Sequence, residues 1–239
     1  MKIISIIPAR GGSKSIPLKN LSKLNKKPLI YYSIKQSLRC KLISRTIVST
    51  DSVLIAKIAK KYGAEAPFLR PKNLSKDTSK DIGFLKHLLK WLRKNENYRP
   101  DLIVQLRPTN PVRNTKMITK AIQLMIKNTT ADSLRSISIP ERSPYKMWVK
   151  KGKFLKYFMK RISKEKDYFN RDRRKLPIVY WHDGAIDIVR SKTVDNYKDL
   201  LGKKVIFFEN DFPHLIDIDS SKDLRLANLL IKNREIKIL

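Results

Sequence analysis

Two short stretches hold most of the residues that could do chemistry. The first is Pro8-Ala9-Arg10-Gly11-Gly12-Ser13-Lys14, directly after Ile3–Ile7, an apolar run broken only by Ser5. Adjacent glycines let backbone amides approach an anion closely, and flanking cations neutralise it. A buried strand emptying into such a loop can hold a phosphate chain; the same residues also suit a tight turn with solvated lysines. The second stretch is Asp217-Ile218-Asp219. Read as a strand end, it sets two carboxylates on one face at i and i+2. On a phosphate-binding rim such a pair is a Mg²⁺ site, because a hard cation takes oxygen ligands and bridges to phosphate oxygens. Taken alone, it reads rather as a solvated acidic pair at a helix start.

Two more loops belong with these. Ser49-Thr50-Asp51 follows the apolar run near Ile47, and Arg107-Pro-Thr-Asn-Pro-Val-Arg113 follows Asp101–Leu106. Arginines held by prolines suit bidentate contact with carboxylate or phosphate. The three histidines, His87, His182 and His214, are not at metal-ligand spacing, and no Ser-His-Asp or Cys-His arrangement can be argued. The chain has neither a GxxxxGK[ST] nor a GxGxxG motif.

The elements that must position these loops alternate. Residues 2–8, 45–50 and 101–106 read as strands, and 28–38, 52–62, 80–93 and 116–126 as amphipathic helices. Pro28 suits the first turn of its helix, and Gly63 closes the second. This order predicts an α/β fold, a mostly parallel sheet with helices on both faces, whose ligands collect beyond the carboxyl ends of the strands. The middle breaks the rhythm. Residues 147–158 read as a hairpin turning at Lys151–Gly152, and 161–175 are polar without helical period, which marks an insertion at about 140–178 in one domain spanning 1–239. Strands are expected again at 185–189, 204–208 and 214–218, then a helix over 221–232 with Ser220 or Ser221 as N-cap.

Composition narrows the classes. The chain has 239 residues, 41% hydrophobic, enough for a real core. A single cysteine, Cys40, excludes an intrachain disulfide and a cysteine-based metal site. No apolar run approaches the roughly 18 residues of a membrane span, and Pro8 and Arg10 follow the N-terminal run too soon for a signal segment, so a cytoplasmic protein without membrane partners is expected. The net charge of +32 invites a nucleic-acid reading. The lysines are scattered, however, and are not interleaved with aromatics in any one stretch. General polyanion attraction at low salt is expected rather than a specific nucleic-acid partner.

Four stretches together resemble the acylneuraminate cytidylyltransferases, the CMP-sialic acid synthetase family: IIPARGGSKSIPLKNL (6–21), IVSTDSVLIAKIAKKYGAE followed by RP (47–71), LRPTNPVR (106–113) and DIDSSKDLRLA (217–227). Their order covers essentially the whole chain. The resemblance implies a Rossmann-like nucleotide-diphospho-sugar transferase fold. It implies a reaction in which the anomeric hydroxyl of a nonulosonic acid attacks the α-phosphate of CTP, giving CMP-sugar and pyrophosphate with Mg²⁺ as cofactor. It further implies nucleotide binding by Ala9, Arg10, Gly11, Gly12, Ser13, Lys14, Asn20 and Arg70, with Arg70 near the cytosine. Asp217 and Asp219 would hold the metal, and Arg10, Lys19 and Asp219 would act in catalysis. The insertion resembles the family's dimerisation element, which implies a homodimer whose partner lends Lys146 and Arg173 to the sugar site. Arg107, Thr109 and Asp183 fall at sugar-facing positions. Two of these depart from the familiar bacterial pattern: RPTNPVR stands for QPTSPLR and WHDGAID for RPNGAIY. An added cation and an added carboxylate change hydrogen-bond polarity there, so neuraminic, legionaminic, pseudaminic and other nonulosonic acids all stay open. The remaining readings are a nucleotidyltransferase for a different sugar acid or nucleotide, and a non-enzymatic polyanion-binding protein.

Overall fold

The computed structural model describes residues 1–159, 170–197, 199–210 and 216–238. In chain order the elements are β1 (Ile3–Pro8), β2 (Lys23–Leu24), β3 (Lys27–Pro28), α1 (Leu29–Leu38), β4 (Arg45–Ser49), α2 (Val53–Lys61), α3 (Asp81–Glu96), β5 (Leu102–Gln105), α4 (Thr115–Lys127), β6 (Ser133–Ser138), β7 (Trp148–Lys151), β8 (Phe154–Tyr157), β9 (Trp181–Arg190), α5 (Ser191–Asn196), β10 (Val205–Glu209) and α6 (Ser221–Lys232). Six strands form one sheet in the order β10-β6-β9-β5-β1-β4.

The β1 strand is buried on both faces, and its period of two divides the core. Ile3 and Ile7 pack with α1, α2 and α4, while Ile4 and Ile6 pack with Phe84, Leu85 and Leu88 of α3. Each such side chain contributes about 1.5–3 kcal/mol when fully buried. Ser5 shares the first face and is wholly buried; its hydroxyl meets that of Ser37 on α1 at 2.6 Å, which satisfies both.

β1 pairs in parallel with β4 on one side and with β5 on the other. The chain therefore reverses its winding at β1, and the crevice beyond its carboxyl end is where an open α/β sheet takes ligands. β9 runs antiparallel to β5, with Gln105 opposite Asp187 and Leu102 opposite Arg190. The first half of β9, not its end, thus lies at the ligand-binding rim. Helix starts follow local chemistry. Ser52 and Asn114 cap α2 and α4 by accepting from Ile55 and Met117, and Ser220 with Asp223 forms a reciprocal capping box on α6.

The strand expected at 214–218 is not formed over its described part, 216–218. Residues 211–215, with His214, lie outside the described residues, and Ile216–Asp219 have no strand ladder. Instead the Ile218 amide donates to the Thr109 carbonyl at 2.8 Å. The alternation survives, with Ile216 and Ile218 buried and Asp217 and Asp219 exposed. β6, β10's neighbour in the sheet, reads SLRSIS, too polar for the apolar-run criterion.

The described chain divides into two compact units, Met1–Ser136 with Asp183–Leu239, and Ile137–His182. The second unit has a 3-10 turn, Pro144–Lys146, and the antiparallel hairpin β7–β8, which turns at Gly152 with φ +60°, a left-handed backbone that favours glycine. The Trp148 and Tyr157 rings cross the hairpin with centroids 4.2 Å apart. Trp148, Val149, Phe154, Leu155 and Phe158 are all exposed.

Candidate active site

A cavity of about 630 Å³ opens beyond the carboxyl ends of β1 and β5. Arg10, Ser13, Lys14, Lys19, Asn20, Arg70, Arg107, Thr109, Asp217 and Asp219 all line it, so four segments far apart in sequence converge there.

The loop after β1 is built by its neighbours. The buried Ala9 donates its amide to Ser49 at 2.9 Å, and the Gly11 amide donates to Asp51 Oδ1 at 2.8 Å. A Cβ on Gly11 would stand 3.1 Å from that of Ser52, so any side chain here would push the β4–α2 turn back by a few tenths of an ångström. Gly12 has open space around it. Ala9, Gly11 and Gly12 thus shape the loop without lining the cavity. Asn20 is buried and donates through Nδ2 to the Arg10 carbonyl at 2.9 Å, so it anchors the loop from below. Leu18 takes a left-handed φ of +50° before the turn Lys19–Leu21, and this bend carries Lys19 to the cavity wall.

Arg10, Lys14 and Lys19 each already meet a carboxylate. Asp77 takes Arg10 at 2.6 Å and Lys14 at 2.8 Å, and these hydrogen bonds, Lys14's first, hold its carboxyl below the usual range. Lys19 Nζ meets Asp219 Oδ1 at 2.9 Å. Arg70, by contrast, is buried. Its Nε donates to Ser49 Oγ at 3.0 Å, and its guanidinium lies 4.7 Å from the centre of the Phe84 ring. Burial pulls its pKa down to about 10 against the opposing pull of Asp51 and Asp81, so it is a cation at neutral pH.

The loop after β5 departs most from expectation. Arg107 reaches Asp187 Oδ2 at 2.5 Å and Asp81 Oδ2 at 2.8 Å, and Gln105 Nε2 shares Asp81 at 2.8 Å. Burial pulls Arg107 down, but Asp187 and Asp81 outweigh it and the net shift is upward. Its charge is therefore spent within the chain. Arg113 does not reach this cavity: it is 1% exposed and donates to the carbonyls of Arg107 at 2.8 Å and Asn110 at 2.6 Å, stapling the loop from behind. Asp183 is 2% exposed and does not line the cavity; it accepts from Ser136 Oγ and from the Ala185 amide, as a brace between β6 and β9. Lys146 and Arg173 belong to the second unit; the Arg173 side chain lies outside the described residues.

Asp217 and Asp219 line the same cavity, Asp219 against Lys19. Burial pushes the Asp217 carboxyl up, the hydrogen bond from Thr109 opposes this, and the charge of Asp219 adds to it. Two carboxylates two residues apart, with all-oxygen donors on a cavity wall, suit a hard divalent cation. Among the described residues no group of three or more acidic, histidine or cysteine side chains gathers as a metal cage, so any ion here would take its other ligands from water or substrate.

Asp77, Asp81 and Asp187 were not singled out by the sequence reading. Asp187 had a signal, a lone carboxylate inside the apolar run AIDIV. Asp81 reads as an ordinary first-turn acid of α3, and Asp77 lies in a loop without a pattern.

Comparison with known proteins agrees with this geometry. The family model described as Cytidylyltransferase matches residues 4–236. A pseudaminic acid cytidylyltransferase of Campylobacter jejuni is 30% identical over 97% of this chain and 97% of its own. A CMP-N,N'-diacetyllegionaminic acid synthase of Legionella pneumophila is 31% identical over 97% of each. The solved structure of a CMP:2-keto-3-deoxy-manno-octonic acid synthetase complexed with CTP shares the fold, with TM-score 0.70 at 17% identity over 98% of this chain and 100% of that one. In the chains' motifs, in the fold and in the cavity at the end of β1, this protein belongs to the cytidylyltransferase family and is a nucleotidyltransferase.

Proposed function

We propose that the protein transfers CMP from CTP to the anomeric hydroxyl of a nonulosonic acid, releasing pyrophosphate. The observation that carries this reading is the convergence of Arg10, Lys14 and Lys19 with the Asp217–Asp219 pair on one cavity. Relatives named for pseudaminic and legionaminic acid, at 30% and 31% identity, support the substrate class and do not choose within it.

In this reading the triphosphate displaces Asp77 and takes Arg10 and Lys14 in its place, and Lys19 stabilises charge that develops as pyrophosphate leaves. Arg70 faces the base. The sugar oxygen forms a bond to the α-phosphorus, the bond from that phosphorus to the bridging oxygen breaks, and the hydroxyl proton passes to a carboxylate of the Asp217–Asp219 pair. Asp217 and Asp219 would hold Mg²⁺, which when bound neutralises phosphate charge. Arg107 arrives already neutralised, so the sugar acid meets a wall rich in acceptors, Asp81 and Asp187, rather than a free cation. The cation for its carboxylate would be Lys146 or Arg173 from a second copy in a cytoplasmic homodimer. The exposed apolar face of the β7–β8 hairpin supports such a pairing.

The test is pyrophosphate release from CTP over a panel of nonulosonic acids, with GTP and UTP as controls. Release is expected with CTP and one acid of the panel. Asp219→Asn should keep the wild-type melting temperature, lose most of the activity, and lose the rise in melting temperature that Mg²⁺ gives the wild type. A folded protein that neither binds CTP nor releases pyrophosphate would overturn the reading.

A further inference from the structure

Ile216–Asp219 brings two carboxylates to the cavity beyond β1 and β5, yet no strand ladder holds this segment. Without a ladder it needs another mount if its side chains are to keep one position. Its apolar half is buried: Ile216 and Ile218 pack in one cluster with Val112 of the turn after β5. Its polar half is held from two sides. Asp219 is fixed at the start of α6, where Asp223 Oδ2 accepts its amide at 3.1 Å, and by Lys19. Asp217 is fixed by Thr109. The Thr109 carbonyl accepts the Ile218 amide at 2.8 Å, and the Thr109 side chain hydrogen-bonds the Asp217 carboxylate.

Thr109 itself sits on a clamped turn. Arg113 donates to the carbonyls of Arg107 and Asn110 at 2.8 and 2.6 Å, and Gln36 Nε2 to those of Pro111 and Arg113 at 2.7 and 2.6 Å. Both donors are buried. Pro108 and Pro111 fix φ on either side of Thr109. Buried side chains thus hold the turn, the turn holds Thr109, and Thr109 holds both the backbone at Ile218 and the side chain of Asp217.

We propose that Thr109 is a positioning residue for the metal pair: its hydroxyl fixes the Asp217 carboxylate so that its remaining lone pairs meet a divalent cation shared with Asp219. A carboxylate has about four acceptor sites, so the one that Thr109 takes leaves others for the ion and for water. Hydrogen bonds to ligating carboxylates orient them, and losing one typically weakens metal binding about 10–100-fold. Thr109 then has a task apart from the sugar contact that the sequence resemblance implies for it. The inference rests on the reading of Asp217 and Asp219 as the Mg²⁺ ligands.

The test is titration of the full chain with Mn²⁺, which takes the same oxygen ligands as Mg²⁺, without CTP or sugar acid, read as the rise in melting temperature. Asp217→Asn serves as the reference for loss of the site. Thr109→Val keeps the branched shape and the carbonyl that holds Ile218, and removes only the hydroxyl; Thr109→Ser keeps the hydroxyl. Without metal, both Thr109 variants should melt within about 5 °C of wild type, the effect of one hydrogen bond in a chain of this size. The Mn²⁺ midpoint should rise at least about tenfold in Thr109→Val and stay within about threefold of wild type in Thr109→Ser. If Mn²⁺ stabilises the wild type no more than it does Asp217→Asn, the metal reading falls and this inference with it. A normal wild-type response with an unchanged midpoint in Thr109→Val would overturn this inference alone and leave the hydroxyl to the sugar. Equal weakening in Thr109→Val and Thr109→Ser would overturn it as well, because it would trace the effect to packing of the turn and not to the hydroxyl.

Discussion

Replacing Arg107 by glutamine isolates the charge cluster at the mouth of β5 and β9. The substitution removes two ion pairs of unequal value. Asp81 is 38% exposed and its pair is worth under about 1 kcal/mol. Asp187 is 12% exposed and loses a short charge-assisted bond, worth about 1.5–3 kcal/mol. Arg135 stays 3.9 Å from Asp187, beyond hydrogen-bond range, and offsets part of the loss without replacing the bond. The sum is about 2–3 kcal/mol, below the 3–5 kcal/mol for a fully buried pair with one partner deleted. For a chain of this size that is a fall in melting temperature of roughly 5–10 °C. Differential scanning calorimetry on Arg107→Gln, Asp187→Asn and the double variant forms a cycle. If the cost is the loss of Arg107 as a counter-charge to Asp187, the double variant recovers at least half of what Arg107→Gln loses. A single variant within about 1 °C of wild type, or a double variant that falls by the sum of the two singles, would refute the reasoning.

Asp77→Asn should lower the KM for CTP several-fold with kcat little changed, because the carboxylate that now clamps Arg10 and Lys14 competes with the triphosphate for both. An unchanged or higher KM would show that Asp77 positions the cations instead of competing for them. Asp132 accepts the amides of Lys203 and Lys204 at 2.9 Å each, and these bonds hold its carboxyl below the usual range. A depressed folded pKa gives stability that is complete above the unfolded value of about 3.9 and is lost as pH falls through the folded one. Asp132→Asn should therefore melt a few degrees lower than wild type at pH 7, with the gap closing below about pH 4. A gap that does not change with pH would mean that the charge plays no part.

Much of the fold was legible because it rests on period and punctuation. The two-faced burial of β1, the helix stripes and the capping serines are local patterns, and Ser52 and Ser220 cap as their positions imply. Over Ile216–Ile218, the described part of the strand expected at 214–218, the expectation failed for a physical reason. Alternation of apolar and polar residues reports burial of one side, and a loop tied down by a single bond from Ile218 to Thr109 meets that condition without a ladder. Arg113 looked equivalent to Arg107 in RPTNPVR, yet the turn sends one guanidinium to the cavity and the other beneath it. Residue type does not encode that choice. Asp183 and Asp187 are a similar case: four residues apart on β9, one braces β6 and the other meets Arg107.

The abundance of cations hid the site more than it revealed it. With 53 lysines and arginines, no cluster of basic residues in this sequence is informative by itself. The 21 acids are the scarce groups, and Asp77, Asp81, Asp187 and Asp219 each hold a cation of the cavity beyond β1 and β5. A site built to receive a highly charged anion must keep several cations close together before that anion arrives, and their mutual repulsion needs a counter-charge in the meantime. Carboxylates supply it, and each is a group that the substrate can displace or that stays to shape the wall. By this logic the acids of a strongly basic chain locate its anion sites better than the bases do. Arg113 is the exception: a buried cation beside no acid among the described residues, held by the carbonyls of Arg107 and Asn110 and by Ser33 Oγ, and so a brace of the loop and not part of the anion site.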